Sequence, residues 1–233
     1  MKINKKMPLE VQYQPHFESQ LKLGAETLGT MASARWRNDP KLLGITLSRY
    51  KFVSKMFINF DKVLEVGAGD AWFSRVVSET CRELTLSDFD SIWLDDFNSS
   101  NFYKSKQTRY IINDFTKDHL KEKFDGIYAL DVLEHINPNL ENIFLNNICR
   151  SLTRQGTAII GMPSLESQKY ASAASRAGHV NCQNGDELYS NLSQYFSNVF
   201  MFSMSDEVVH TGFMSMAHYL IALCLNPKKD FDL

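Results

Sequence analysis

Between residues 62 and 161 one pattern recurs: a short, mostly apolar run that stops at an acid or a glycine turn. Lys62-Val-Leu-Glu-Val66 leads straight into Gly67-Ala-Gly69. Glu83-Leu-Thr-Leu-Ser87 stops at Asp88, Arg109-Tyr-Ile-Ile-Asn113 at Asp114, and Asp125-Gly-Ile-Tyr-Ala-Leu130 at Asp131. Thr157-Ala-Ile-Ile-Gly161 is a fifth run. Runs this short read as strands buried on both faces. Helix-period segments lie between them. Asp70 to Cys81 carries Phe73, Val76 and Val77 on one face. Asn137-Pro138 offers an N-cap and a first-turn proline to a helix striped with Leu140, Ile143, Phe144, Ile148 and Leu152. Strands alternating with helices predict an α/β protein with a doubly wound, mostly parallel sheet.

The ends of the chain read differently. Residues 1–60 look helical and precede the sheet as a cap, so the sheet-forming domain runs from 61 to 233. Residues 164–186 are polar and without clear period, which predicts a lid near the ligand edge of the sheet. Glu187 to Phe196 reads as a helix. Ser197–Phe202 and Met216–Cys224 read as two more strands, antiparallel to each other. The expected sheet has seven strands, with an antiparallel strand at the C-terminal end.

Composition narrows the classes of function. With 233 residues, 44% hydrophobic and 22% charged, the chain can bury a core without disulfides. Cys81, Cys149, Cys182 and Cys224 form no C-x-x-C pair and read as core thiols in a reducing compartment. No apolar stretch follows Met1 to Lys6, and Tyr219–Leu225 is far short of the ~20 residues of a membrane helix. The expectation is a cytoplasmic protein with no membrane partner. Residues 1–62 carry a net +6 and the rest −8. A basic segment attracts an anionic, phosphate-bearing ligand, with Arg35, Arg37 and Arg49 as the residues to test. No stacking aromatics interleave these charges in an RNA-binding pattern, so nucleic acid is not the expected partner. Composition leaves a homodimer open.

Glycines at Gly67 and Gly69 let the backbone turn sharply and approach a ligand, and the following N–H groups suit a carboxylate or phosphate. A dinucleotide fingerprint would need Gly or Ala where Trp72 stands. The spacing Glu65-x-Gly67-x-Gly69-x-Ala71 instead resembles motif I, D/E-x-G-x-G-x-G, of the class I S-adenosylmethionine-dependent methyltransferases. Ala71 replaces the third glycine. Phe124–His135, with its DVLEH ending, resembles motif IV, and Leu152–Pro163 resembles the segment along the fifth strand. The resemblance covers residues 62–163 and implies the Rossmann-like methyltransferase fold with S-adenosylmethionine as cofactor.

It also implies site residues. Glu65 holds the glycine turn, and Gly67, Ala68, Gly69 and Asp70 approach the cofactor. Asp88 meets the ribose hydroxyls, Phe89 the adenine ring, and Asp114-Phe115 the adenine amino group. Asp131 shares the crevice from the fourth strand. The expected reaction is methyl transfer to a small-molecule acceptor, an anionic sugar, a sugar nucleotide or a related metabolite. A histidine removes the acceptor proton, and His179, His135 and His210 are the candidates. The alternatives are a macromolecular methyltransferase acting on RNA or protein and a non-catalytic, methyltransferase-like subunit. Asp131, Glu134 and His135 share one face of a helical turn and resemble the E-x-x-E-H metal cluster of ubiquinone-type and small-RNA O-methyltransferases. The generic DVLEH form carries no metal, so the expected activity is metal-independent.

Overall fold

The computed structural model describes residues 7–100 and 108–228. Residues 1–6 of the expected cap and 229–233 of the expected domain lie outside these. The strands are β1 (Lys62–Val66), β2 (Glu83–Asp88), β3 (Thr108–Ile112), β4 (Phe124–Leu130), β5 (Leu152–Pro163), β6 (Phe196–Ser205), β7 (Val208–His210) and β8 (Tyr219–Pro227). The α-helices are α1 (Gln14–Leu23), α2 (Thr30–Asn38), α3 (Pro40–Met56), α4 (Arg75–Ser78), α5 (Leu94–Ser99), α6 (Pro138–Ser151), α7 (Ala173–Gly178) and α8 (Gly185–Tyr195).

Alternation along each strand sorts side chains onto two faces. Leu64 and Val66 of β1, Ile127 and Ala129 of β4, and Ala158 and Ile160 of β5 pack on one side with Phe144, Leu145 and Ile148 of α6 and Leu188 and Leu192 of α8. Val63, Tyr128, Leu130 and Ile159 face the other way, against Tyr50 and Val53 of α3, Phe57 just beyond it, and Val77 of α4. Both faces are covered, as the unbroken apolar runs require. Each fully buried Leu or Ile contributes about 1.5–3 kcal/mol. α3 is amphipathic for the same reason, with Thr46, Tyr50, Val53 and Ser54 buried on one stripe.

The strands join in the order β3-β2-β1-β4-β5-β8-β6-β7. Strands β1 to β5 are mutually parallel, and β8 runs antiparallel between β5 and β6. The strand order reverses between β1 and β4, so the crevice for a ligand opens at their carboxyl ends.

Three expectations change. Among the described residues the sheet has eight strands, not seven, because the chain turns back at Asp206 (φ +50°) and Val208–His210 pairs with β6. The helix expected over 70–81 shrinks to Arg75–Ser78. Gly69 and Ala71 both hold left-handed φ angles, +54° and +60°, which keep the chain out of a helix until Ser74. The fifth strand begins at Leu152, directly after α6. The β6–β8 pairing follows the expected antiparallel arrangement. No helix among the described residues is long and apolar enough to cross a membrane. All four cysteines are free thiols, and only Cys149 and Cys224 are fully buried.

Candidate functional site

The glycine turn leaves β1 under tight control. Gly67 and Ala68 both donate backbone hydrogen bonds to the Ser87 carbonyl, at 2.8 and 3.0 Å. Gly69 donates to Asp88 Oδ2 at 3.0 Å, and Asp90 donates to Oδ1 at 3.1 Å. Asp88 therefore fixes the turn from the end of β2 while remaining at the crevice. Gly67 has φ +78°, and a Cβ there would overlap the Val132 Cγ2 methyl. Only glycine fits where the turn meets the motif IV segment. Ala71 accepts a left-handed φ at roughly 1 kcal/mol, the cost a third glycine would avoid.

Below the turn, Glu65 is 1% exposed. Tyr50 Oη donates to one of its carboxylate oxygens at 2.8 Å and Tyr128 Oη to the other at 2.5 Å. Burial pushes its pKa up to about 7 against these hydrogen bonds. Glu65 lines neither side of the crevice.

Two cavities flank Gly67. One is lined by Asp88, Phe89, Asn113, Asp114, Phe115 and Val132. Phe89 is 73% exposed and free to lie against a ring, whereas Phe115 is buried. Asp114 accepts from Thr116 N and Oγ1 and pairs with Lys117 at 2.8 Å. The other cavity is lined by Ala68, Asp70 and Asp131 together with Met31, Arg35 and Phe73. Asp70 is largely buried, which raises its pKa, and its Oδ2 accepts from Ala32 N at 2.8 Å. That bond ties the start of α2 to the crevice. Of the cofactor residues expected from the sequence, Gly67, Asp88, Phe89, Asp114 and Phe115 line the first cavity and Gly67, Ala68, Gly69, Asp70 and Asp131 the second, while Glu65 lines neither.

Asp131 takes φ +57° at the end of β4. Arg49 Nη1 from α3 lies 2.8 and 2.7 Å from its two carboxylate oxygens, and the guanidinium stacks 3.7 Å over the Tyr219 ring. Burial disfavours the charged guanidinium, but Asp131, Tyr219 and Glu134 outweigh it and raise the Arg49 pKa. Arg49 was expected to meet an anionic acceptor; it is instead committed to Asp131. Arg35 lines the second cavity, 5.1 Å over the Phe73 ring, and Arg37 is exposed on α2.

The expected lid folds down as a short 3-10 segment, Leu165–Tyr170, followed by α7. Val180 N and Asn181 N donate to the Glu134 carbonyl at 2.8 and 3.0 Å. Asn181 and Gln183 side chains both donate to Glu141 Oε2 on α6. This docking brings His179 to His135, ring centroids 5.1 Å apart. Burial, then the neighbouring His135, lowers the His179 pKa. His210 does not join them. It sits on β7, where Nδ1 accepts from Gly212 N at 2.9 Å, five strands along the sheet from β1. Sequence reasoning missed the Arg49–Asp131 pair, the Tyr50 and Tyr128 ligands of Glu65, and Met31. Tyr50 and Arg49 do fall on the buried stripe of α3, but nothing in the sequence names their partners.

A family model described as a methyltransferase domain matches residues 35–195. No curated protein sequence matches the chain. Among solved structures, the N-methyltransferase NodS from Bradyrhizobium japonicum, bound to S-adenosylhomocysteine, superposes with a TM-score of 0.62 at 16% identity, over 83% of this chain and 91% of that one. A TehB-like S-adenosylmethionine-dependent methyltransferase from Corynebacterium glutamicum gives 0.58 at 19% identity, over 93% and 97%. A DhpI complex with S-adenosylhomocysteine gives 0.62 at 12%, over 85% and 92%. The glycine turn, the acids ending its strands and the family match together place this chain in the methyltransferase domain family, as a class I S-adenosylmethionine-dependent methyltransferase.

Proposed function

We propose that this chain transfers the methyl group of S-adenosylmethionine to a hydroxyl of a small-molecule acceptor, of the sugar or sugar-nucleotide kind, with His179 and His135 handling the hydroxyl proton. The observation that carries this reading is the docked lid, which sets His179 beside His135 directly after the motif IV turn. The residues fit the cofactor, since a Cβ would fill the cradle at Gly67 and a cavity opens on each side of it. Bound S-adenosylmethionine supplies the activated methyl group. Asp88 accepts from the ribose hydroxyls, Phe89 covers the adenine ring, and Asp114 accepts from its amino group. Arg35 pairs with the methionine carboxylate. Methyl transfer discharges a sulfonium, so the protein has placement and proton removal to supply rather than an oxyanion hole. His179, with its lowered pKa, is neutral and able to accept a proton at neutral pH. An anionic acceptor would meet Arg37, because Arg49 is held by Asp131.

The test is transfer of labelled methyl from S-adenosylmethionine to a panel of sugars and sugar nucleotides. We expect turnover with a member of the panel, and a fall in kcat of about 100-fold in His179→Ala with S-adenosylhomocysteine affinity unchanged. The kcat/KM profile should rise with pH on a limb below the ordinary imidazole range and be flat above it, because the neutral imidazole is the active form. Transfer confined to RNA or protein, or a His179→Ala rate equal to wild type, would contradict the reading.

A further inference from the structure

The helix that brings Arg35 to the crevice has little of its own to hold it. α2 spans 9 residues and buries only Ala32. A helix this short is marginal alone in water, so caps and neighbours must hold it. Its N-cap, Gly29, has no side chain to accept from the opening N–H groups. The acceptors come from elsewhere in the chain. Thr30 N donates to Asp96 Oδ2 at 3.2 Å, and Ala32 N donates to Asp70 Oδ2 at 2.8 Å. The other Asp70 oxygen accepts from Trp72 N at 3.3 Å. Burial raises the Asp70 pKa, and the N–H groups of Ala32, Trp72 and Met31 oppose that rise. Two carboxylates thus meet the positive end of the α2 dipole.

Gly29 fits this arrangement closely. Its φ of −66° and ψ of 177° suit any residue, so its backbone does not call for glycine. A Cβ there would nonetheless stand 2.6 Å from Asp70 Cβ, Cγ and Oδ2. The Asp70 side chain fills the space that an N-cap side chain of α2 would use. The glycine turn therefore caps a helix that starts about 40 residues before it in the chain. One turn further along that helix, Arg35 lies over the Phe73 ring, and its Nη1 donates to Thr46 Oγ1 at 3.3 Å. Met31 of the same helix reaches back to the turn, where its Sδ stands 2.8 Å from the place a Gly69 Cβ would take. Met31, Arg35 and Asp70 all line the second cavity.

We propose that Asp70 is a positioning residue, whose carboxylate caps α2 in trans and so holds Arg35 at the methionine end of the cofactor site without touching the cofactor itself. This role rests on the pairing of Arg35 with the methionine carboxylate proposed for the site. It changes what the sequence implies for Asp70, from a contact with the cofactor to the support of one. Cofactor affinity is then coupled to the folding of α2, because the turn that receives the cofactor also holds the helix that clamps it. Gly29 shares the role, since only a residue without a Cβ leaves room for the Asp70 carboxylate.

The test compares calorimetric affinities for S-adenosylhomocysteine and for methylthioadenosine, which lacks the amino-acid end, in wild type, Asp70→Ala, Gly29→Ala and Arg35→Ala. Amide hydrogen exchange of α2 is followed in the same proteins without ligand. We expect Asp70→Ala and Gly29→Ala each to weaken S-adenosylhomocysteine about tenfold, as the loss of one helix cap would, with methylthioadenosine changed less than about twofold. The α2 amides should exchange at least about fivefold faster in both variants. Gly29→Ala leaves the residues of the turn intact, so it carries the test if Asp70→Ala fails to unfold cooperatively. Wild-type exchange of α2 in both variants would overturn the proposal, and with a loss of affinity it would mean that Asp70 meets the cofactor directly. An equal loss of both ligands, or undiminished S-adenosylhomocysteine affinity, would overturn it too. Arg35→Ala separates this from the reading beneath it, because full S-adenosylhomocysteine affinity there would refute the carboxylate pairing whatever the exchange of α2 shows.

Discussion

Alanine at Gly67 should lower S-adenosylhomocysteine affinity by about 100-fold, roughly 3 kcal/mol. Two costs combine. An alanine must take the φ of +78° that Gly67 holds. Its Cβ must also displace the Val132 Cγ2 methyl, which lines the crevice. The second cost can be isolated, because Val132→Ala removes the obstructing methyl. The double variant should therefore regain part of the lost affinity, while the backbone cost persists. Gly69→Ala should cost less, since a Cβ there meets only the Met31 Sδ at 2.8 Å, the flexible end of a side chain. Calorimetric affinities of the four proteins check this. Wild-type affinity in Gly67→Ala would mean that the turn does not approach the cofactor.

The second large effect concerns stability. Glu65→Ala should cost about 3–5 kcal/mol and lower the melting temperature by ~10 °C. The variant leaves the Tyr50 and Tyr128 hydroxyls without their carboxylate in a fully buried space, and it opens a cavity under the glycine turn. The same residue gives a pH signature. Its folded pKa is raised to about 7 from 4.5, so between these values the folded state holds a proton that the unfolded state has lost. Stability should fall as pH rises through that window, by an amount on the order of 3 kcal/mol, and level off above it. Glu65→Gln should lack this slope. Denaturant titrations at several pH values measure it, and a wild-type curve flat across the window would refute the assignment.

The two parts of the molecule were not equally legible in the sequence. Buried strands announce themselves through local composition, so β1, β2, β3 and β4 and the acids after them could be placed to within a residue or two. The order reversal that puts Gly67 beside Val132 and Asp131 followed from the motif spacing. The helix expected at 70–81 failed because a left-handed alanine leaves no trace in hydropathy. β7 failed because Val208–His210 is too short to show alternation. The least legible contacts join the helices before β1 to the sheet. Arg49 and Asp131 are 82 residues apart, and both are ordinary polar residues until α3 lies across the end of β4. The meeting of His135 with His179 likewise depends on how the lid docks on Glu134 and Glu141, which residue types alone do not encode.

The central claim is that the Gly67 crevice is an adenosyl site, and calorimetric titration with S-adenosylmethionine, S-adenosylhomocysteine and NADH tests it most directly. The account predicts saturable binding of both adenosyl ligands and none of NADH. It also predicts a loss of at least about tenfold in Asp88→Ala, which removes the proposed ribose acceptor and the anchor of Gly69 N together. No adenosyl binding, a preference for NADH, or full affinity in Asp88→Ala would contradict it.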